Sequence, residues 1–199
     1  FFLLLMYSLN LCIFFLLLFK GVKPGSADSQ IFDLYLRKNY YKTGSLMANS
    51  CKAACLLNET GNNGLHNITS SAAQASFIYG RGVGAAFQLV DDVLDFEASQ
   101  LELGKPILND LKQGLATAPV LFAQQQYPDL NDMIHRKFSV PGDIEKAHEF
   151  VKKSDGLQRT KELAYEYSNQ AVEAILQLEQ SDARDALVRL ASQITSRKM

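Results

Sequence analysis

The chain has 199 residues and a mass of 22.1 kDa, with 47% hydrophobic residues, 21% charged residues and a formal net charge of −1. That balance excludes a disordered or fibrous chain and makes a single globular domain the default. Twenty Lys and Arg against 21 Asp and Glu leave no bulk positive field. A nucleic-acid scaffold is therefore an unattractive first reading, and any phosphate-handling site must be local. Cys12, Cys51 and Cys55 cannot build a multi-bridge framework, and their spacing suits neither a CxxC redox motif nor a zinc knuckle.

From Phe1 to Phe19 the chain reads FFLLLMYSLNLCIFFLLLF, with Ser8 and Asn10 its polar residues and no charge. This is enough apolar length to cross a bilayer as a helix, so membrane association through residues 1–19 is one expectation. A signal peptide fits less well, because a basic n-region is missing and Lys20 and Lys23 follow where small residues would mark cleavage. A mitochondrial transit peptide needs Arg and Ser on an amphipathic helix, which this run lacks. A removed targeting sequence and an N-terminus foreign to the native fold remain as alternatives. The folded domain is expected over 21–199, behind an apolar leader, an extra N-terminal helix, at 1–20.

Residues 21–30, GVKPGSADSQ, form a Gly/Pro/Ser linker ending in cap-type residues. Apolar positions Ile31, Leu34, Tyr35, Leu46, Met47, Ala53, Ala54 and Leu57 then recur at helical spacing, which predicts one long helix over 30–57 or two joined at Gly44. The Gly- and Asn-rich stretch 58–70 predicts a surface loop; its sequons at Asn58 and Asn67 matter only in a secreted chain. Next comes SAAQASFIYGRGVGAAFQLVDDVLDF, in which Gly80, Gly82 and Gly84 superficially suggest a phosphate-binding loop. No strand precedes them, so a dinucleotide fold is rejected, and the small residues are read as places where another helix packs closely. Further helices are expected at 110–127, 143–153, 157–178 and 183–196, the last two capped by Ser154 with Asp155 and by Ser181 with Asp182. No alternating β-type run appears, so the fold class is all-α.

The chemistry is concentrated in Asp91, Asp92 and Asp95. With Gln88 they are related by steps of three, four and seven, so all four project from one helix face, opposite Phe87, Val90 and Leu94. Carboxylates crowded on one patch repel each other, and more strongly when half-buried, so a cation belongs there. Oxygen-only ligands suit Mg²⁺, which keeps several waters, takes one or two carboxylates and completes its shell with substrate phosphate. A solvated acidic face is the competing explanation, but such a face would not be embedded in FQLVDDVLDF. Lys105, just past the acidic helix, and Lys42 with Thr43, just before Gly44, could each meet a diphosphate held by metal. His66, His135 and His148 are expected at the surface, and Cys51 and Cys55 as small core residues.

FQLVDDVLDF followed by LGKPILNDLKQGLATAPVLFA resembles the second aspartate-rich region of trans-isoprenyl diphosphate synthases. The likeness continues in YYKTGSLMANSCKAACLL, in FSVPGDIEKAHEFVKKSDGLQRTKELAYEYSNQAVEAI and in SDARDALVRLASQI, covering residues 30–199. It is nearest to the long-chain polyprenyl branch, the catalytic type of decaprenyl synthase that supplies the ubiquinone tail. The resemblance implies an isoprenoid-synthase helical bundle and Mg²⁺-dependent condensation of an allylic prenyl diphosphate with isopentenyl diphosphate. It also implies a mitochondrial setting and assembly as a homodimer or as a heterotetramer with a second prenyltransferase-like subunit. By the same resemblance Asp91 and Asp92 are metal ligands, with Asp95 completing the motif directly or through water. Lys42 and Lys105 meet the allylic diphosphate, Thr43 and Gln88 help to position substrate, and Phe87 lines the prenyl cavity.

The family's first DDxxD, and the earlier Gly, Lys, Arg and His residues that hold isopentenyl diphosphate, are not found here. The acidic residues of 1–90 are Asp28, Asp33 and Glu59, too sparse for a second metal cluster. The chain thus reads as the C-terminal half of a synthase, inactive by itself. Two alternatives stand beside that reading: a noncatalytic prenyltransferase-like partner of a complete subunit, and a membrane-tethered helical interaction protein whose aspartates are only a solvated face.

Overall fold

The computed structural model describes residues 27–63, 71–97 and 108–196, and helices dominate all three stretches. These form α1 (Ala27–Asn39), a π-helical turn (Tyr40–Gly44), α2 (Ser45–Asn63), α3 (Ser71–Glu97), α4 (Asn109–Lys112) and α5 (Ala118–Gln124). They continue as α6 (Leu130–His135), α7 (Asp143–Lys153), α8 (Gly156–Ile175) and α9 (Asp182–Thr195), with no strand among the described residues. The all-α class is confirmed. Among the described residues no helix is long and apolar enough to cross a membrane; the Phe1–Phe19 run, with the expected leader helix, lies outside them.

The 27-residue α3 is the axis of the fold, packed between α2 on one side and α8 on the other. Its glycines make both approaches possible. A Cβ on Gly80 would stand 2.5 Å from the Met47 carbonyl oxygen, and one on Gly84 would stand 2.8 Å from Gly44 Cα, so this face meets α2 and the π turn backbone to backbone. Gly82, on the other face, would put a Cβ 2.6 Å from the carbonyl oxygen of Tyr167 in α8. The glycine run is thus a helix-packing device, as its sequence context indicated, bought with about 1 kcal/mol of helix propensity per residue.

The main core cluster joins α1, α3, α5, α8 and α9 through Phe32, Tyr35, Leu89, Val90, Phe122, Leu163 and Ile194. A second cluster closes the short helices α4 to α7 around Phe96, Leu111, Leu130, Met133 and Val151. Arg136 grips Asp143 with both arms, at 2.7 and 2.6 Å, across a turn in which Lys137 and Phe138 have positive φ. Lys161 of α8 pairs with Glu97 at the end of α3 at 2.8 Å.

Several boundaries differ from the sequence reading. Helix α2 runs on to Asn63 through the first part of the expected 58–70 loop, because a helix already propagating tolerates the weak local penalties of Gly61 and three Asn. Residues 64–70 lie outside the described residues. The helix expected over 110–127 is broken into α4 and α5: Gly114 takes φ +76° and Thr117 is extended before Pro119 enters the first turn of α5. The short α6 had no periodic signal long enough to expose it. Leu34, Leu46, Ala53, Ala54 and Leu57, expected among the apolar stripe, are exposed, while Tyr35 is buried and Ile31 and Met47 are half-buried. One face of α2 is spent on α3, and nothing among the described residues covers the other.

Ser181 caps α9 by accepting from the Arg184 N–H at 3.2 Å, as expected. At α8 the cap is shifted, with Ser154 Oγ accepting from the Gly156 N–H at 3.0 Å and no cap bond from Asp155. Cys51 and Cys55 are half-buried, and burial pushes the Cys51 thiol up. His135 is exposed, but His148 is half-buried with its ring 6.2 Å from that of Phe96, and desolvation lowers its pKa. His66 lies outside the described residues.

Candidate active site

The π turn widens the helical coil by one residue just where Lys42 and Thr43 occur, a local feature often found at functional sites. It brings Thr43 against the middle of α3, where its hydroxyl donates to Gln88 Oε1 at 3.4 Å. Gln88 Nε2 donates to Asp92 Oδ1 at 3.2 Å, and the Tyr35 hydroxyl from α1 donates to Asp92 Oδ2 in a short hydrogen bond. Asp92 is only 2% exposed. Desolvation raises its pKa to about 7, against the opposing pull of the Tyr35 and Gln88 hydrogen bonds and with added repulsion from Asp110 and Asp91.

The three aspartates therefore share a helix face but not an environment. Asp91 is exposed. Asp92 points inward, with each oxygen accepting a protein hydrogen bond. Asp95 is half-buried and accepts from the backbone N–H groups of Asn109 at 3.1 Å and Asp110 at 3.2 Å, while its own carbonyl accepts from Leu108 at 3.1 Å. It so fastens the start of α4 to α3 and brings a fourth carboxylate to the patch. Burial pushes the Asp110 carboxyl up, Asp95 and Asp91 push it the same way, and Lys42 and Lys38 pull it down.

The structure thus joins Lys42, Thr43, Gln88, Asp91, Asp92 and Asp95 in one neighbourhood and adds Tyr35, Lys38 and Asp110. Phe87 is half-buried against the main core cluster, and Lys105 lies outside the described residues. Tyr35 was legible only as an apolar-stripe residue. Asp110 has no periodic relation to Asp91–Asp95, and nothing in the sequence pattern could have placed it there.

Among the described residues no three His, Cys, Asp or Glu side chains converge closely enough to hold a metal by themselves. The donors that do face one another are carboxylates on neighbouring elements, with lysines beside them. That donor set fits Mg²⁺ in its usual protein mode, one or two carboxylates with the remaining positions left to water and phosphate.

Residues 22–151 match the family model for polyprenyl synthetase. The chain belongs to the polyprenyl synthetase family. It is 46% identical over 170 residues to the mouse all trans-polyprenyl-diphosphate synthase PDSS1, covering 85% of this chain and 40% of that protein. It is 45% identical over 166 residues to the decaprenyl-diphosphate synthase of Dictyostelium discoideum, covering 83% and 35%. The chain spans about two fifths of the length of these relatives. Among solved structures, the apo form of an Arabidopsis medium/long-chain length prenyl pyrophosphate synthase matches with TM-score 0.73 and 37% identity, over 96% of this chain and 64% of that one. A Caulobacter crescentus polyprenyl synthase complexed with calcium and isoprenyl diphosphate matches with TM-score 0.70 and 30% identity, over 84% and 50%. The described bundle is the polyprenyl synthetase fold, and its acidic α3 is the segment that carried the resemblance.

Proposed function

We propose that this chain carries the second aspartate-rich half of a long-chain polyprenyl diphosphate synthase that makes the ubiquinone side chain in mitochondria. The observation that carries the reading is the patch where α1, the π turn, α3 and α4 meet, in which the Asp110 carboxyl feels Asp95 and Asp91 on one side and Lys42 and Lys38 on the other, with Asp91 exposed. In the reaction the C–O bond of an allylic prenyl diphosphate breaks, and diphosphate leaves with the electron pair. The double bond of isopentenyl diphosphate attacks the allylic carbon, and loss of a proton from the isopentenyl unit yields an allylic diphosphate longer by one unit.

Held by Asp91 and Asp95, Mg²⁺ would supply positive charge to offset the negative charge that develops on the leaving diphosphate. Lys42 reaches the same oxygens from the π turn, and Lys105 is assigned the second cation. Thr43 and Gln88 orient the allylic substrate, and Phe87 lines the prenyl chain's path. Asp92, 2% exposed and turned inward to Tyr35 and Gln88, is read as holding Gln88, and any contact it makes with the metal runs through the patch that Asp91 and Asp95 expose. The reading assigns turnover to the whole synthase, acting as a homodimer or as a heterotetramer with a second prenyltransferase-like subunit. The test is calorimetric binding of farnesyl diphosphate to the chain with and without Mg²⁺. Mg²⁺-dependent binding that weakens at least tenfold in Asp91→Ala and in Lys42→Ala is expected. Binding indifferent to Mg²⁺ and to Asp91 would refute the reading.

A further inference from the structure

We propose that Tyr35 is a positioning residue for diphosphate binding: through the buried Asp92 carboxylate it fixes the Gln88 amide, and through Gln88 the Thr43 hydroxyl beside Lys42. The inference rests on the diphosphate-handling reading of this patch and deepens it.

The geometry gives the chain a direction. The Tyr35 hydroxyl has a single proton, and it is given to Asp92. Asp92 then accepts at both oxygens, from Tyr35 and from Gln88 Nε2. That settles which way the Gln88 amide lies: its NH₂ is committed to Asp92 and its oxygen faces Thr43, so the Thr43 hydroxyl must donate inward. Its lone pairs, and the adjoining Lys42, are left for what binds outside. Tyr35 and Asp92 are 57 positions apart, so α1 sets the orientation of a group on α3, which in turn orients the π turn.

The Tyr35 ring is already accounted for by packing in the main core cluster, and a phenylalanine would fill that space as well. What phenylalanine lacks is the donor. Without it one oxygen of a carboxylate that is 2% exposed loses its partner, and the cheapest repair is for the Gln88 amide to turn toward it, releasing Thr43. Networks of this kind are apportioned by comparing single and double variants.

The experiment uses the full 199-residue chain at pH 8.5, where Asp92 is ionised, with inorganic pyrophosphate and Mg²⁺ as probe. Wild type, Tyr35→Phe, Thr43→Val and the double variant are titrated calorimetrically, and the Gln88 side-chain amide resonances are followed by NMR in ligand-free protein. Expected are a moved Gln88 amide signal in Tyr35→Phe, pyrophosphate affinity lowered roughly tenfold, the size of one buried hydrogen bond to a charged group, and no further loss on adding Tyr35→Phe to Thr43→Val. An unmoved Gln88 signal, unchanged affinity, or an equal loss in the Thr43→Val background would each overturn the positioning role, the last because it marks general softening. If Tyr35→Phe does not fold, Gln88→Met, which cuts the chain one link later, must lower affinity by a similar factor; unaltered binding there overturns the proposal. A wild-type chain that binds no pyrophosphate with Mg²⁺ would instead refute the proposed function, and Tyr35's part in it, even where the NMR shows the hydrogen-bond chain intact.

Discussion

Asp92 makes the stability of this fold depend on pH in a direction opposite to that of most carboxylates. Its pKa is raised from 3.8 to about 7, chiefly by desolvation in a site where it is 2% exposed. Below pH 4 the group is protonated in both folded and unfolded chains and costs nothing. Between pH 4 and pH 7 the unfolded chain releases the proton while the folded chain keeps it, so stability falls by about 1.4 kcal/mol per pH unit. Above pH 7 both states are ionised and the loss levels off at about 4 kcal/mol, an order-of-magnitude figure for one buried group. Asp92→Asn keeps the shape and removes the titration. Urea unfolding followed by circular dichroism, in EDTA from pH 4.5 to 8.5, should show the stability difference between variant and wild type growing in the variant's favour as pH rises and flattening near pH 7. Subtracting the two curves cancels the remaining carboxylates, such as Asp143, whose pKa the Arg136 hydrogen bonds lower. A difference that stays constant across that range would refute the assignment of Asp92 as a desolvated carboxylate.

Gly80→Ala would drive a Cβ into the Met47 carbonyl at 2.5 Å, and neither helix backbone can yield without its neighbours. Overpacking of this kind outweighs the gain in helix propensity, and a net loss of about 2 kcal/mol, read as a melting temperature lower by roughly 4–8 °C, is expected. Thr117 Oγ is buried without a partner among the described residues, so Thr117→Val should leave stability equal or up to about 1 kcal/mol higher in chemical denaturation. A clear loss would mean that the hydroxyl has a partner. Asp95→Ala removes the acceptor of the Asn109 and Asp110 N–H groups, and hydrogen exchange at those two amides should accelerate about tenfold while α8 amides are unchanged. Acceleration spread over α8 would indicate global destabilisation instead.

Local chemistry was legible wherever it follows a short repeat. The helical periods of α3, α8 and α9, the Ser181 cap, the packing role of Gly80, Gly82 and Gly84, and the family itself could all be read from residues near one another in the chain. So could the shared face of Asp91, Asp92 and Asp95, because a step of three or four along a helix fixes direction whatever surrounds it. The breaks at Gly114 and Thr117 were less visible, since a glycine and a proline weaken a helix without saying whether neighbouring packing will carry it through.

Packing between distant helices makes like residues different. Asp91 and Asp92 are adjacent and chemically identical, yet α1 closes over Asp92 and leaves Asp91 uncovered, so one is exposed and the other meets Tyr35 and Gln88 in the interior. Asp95 is taken by the backbone of α4, and Asp110 arrives at the patch through a turn with no sequence period. An all-α polyprenyl synthetase chain with an acidic face on its central helix was readable from residues close together in the chain. Packing assigned the separate roles on that face, because the charge state and partners of a carboxylate depend on the water it keeps and the donors it meets, and both are set by helices distant in the chain.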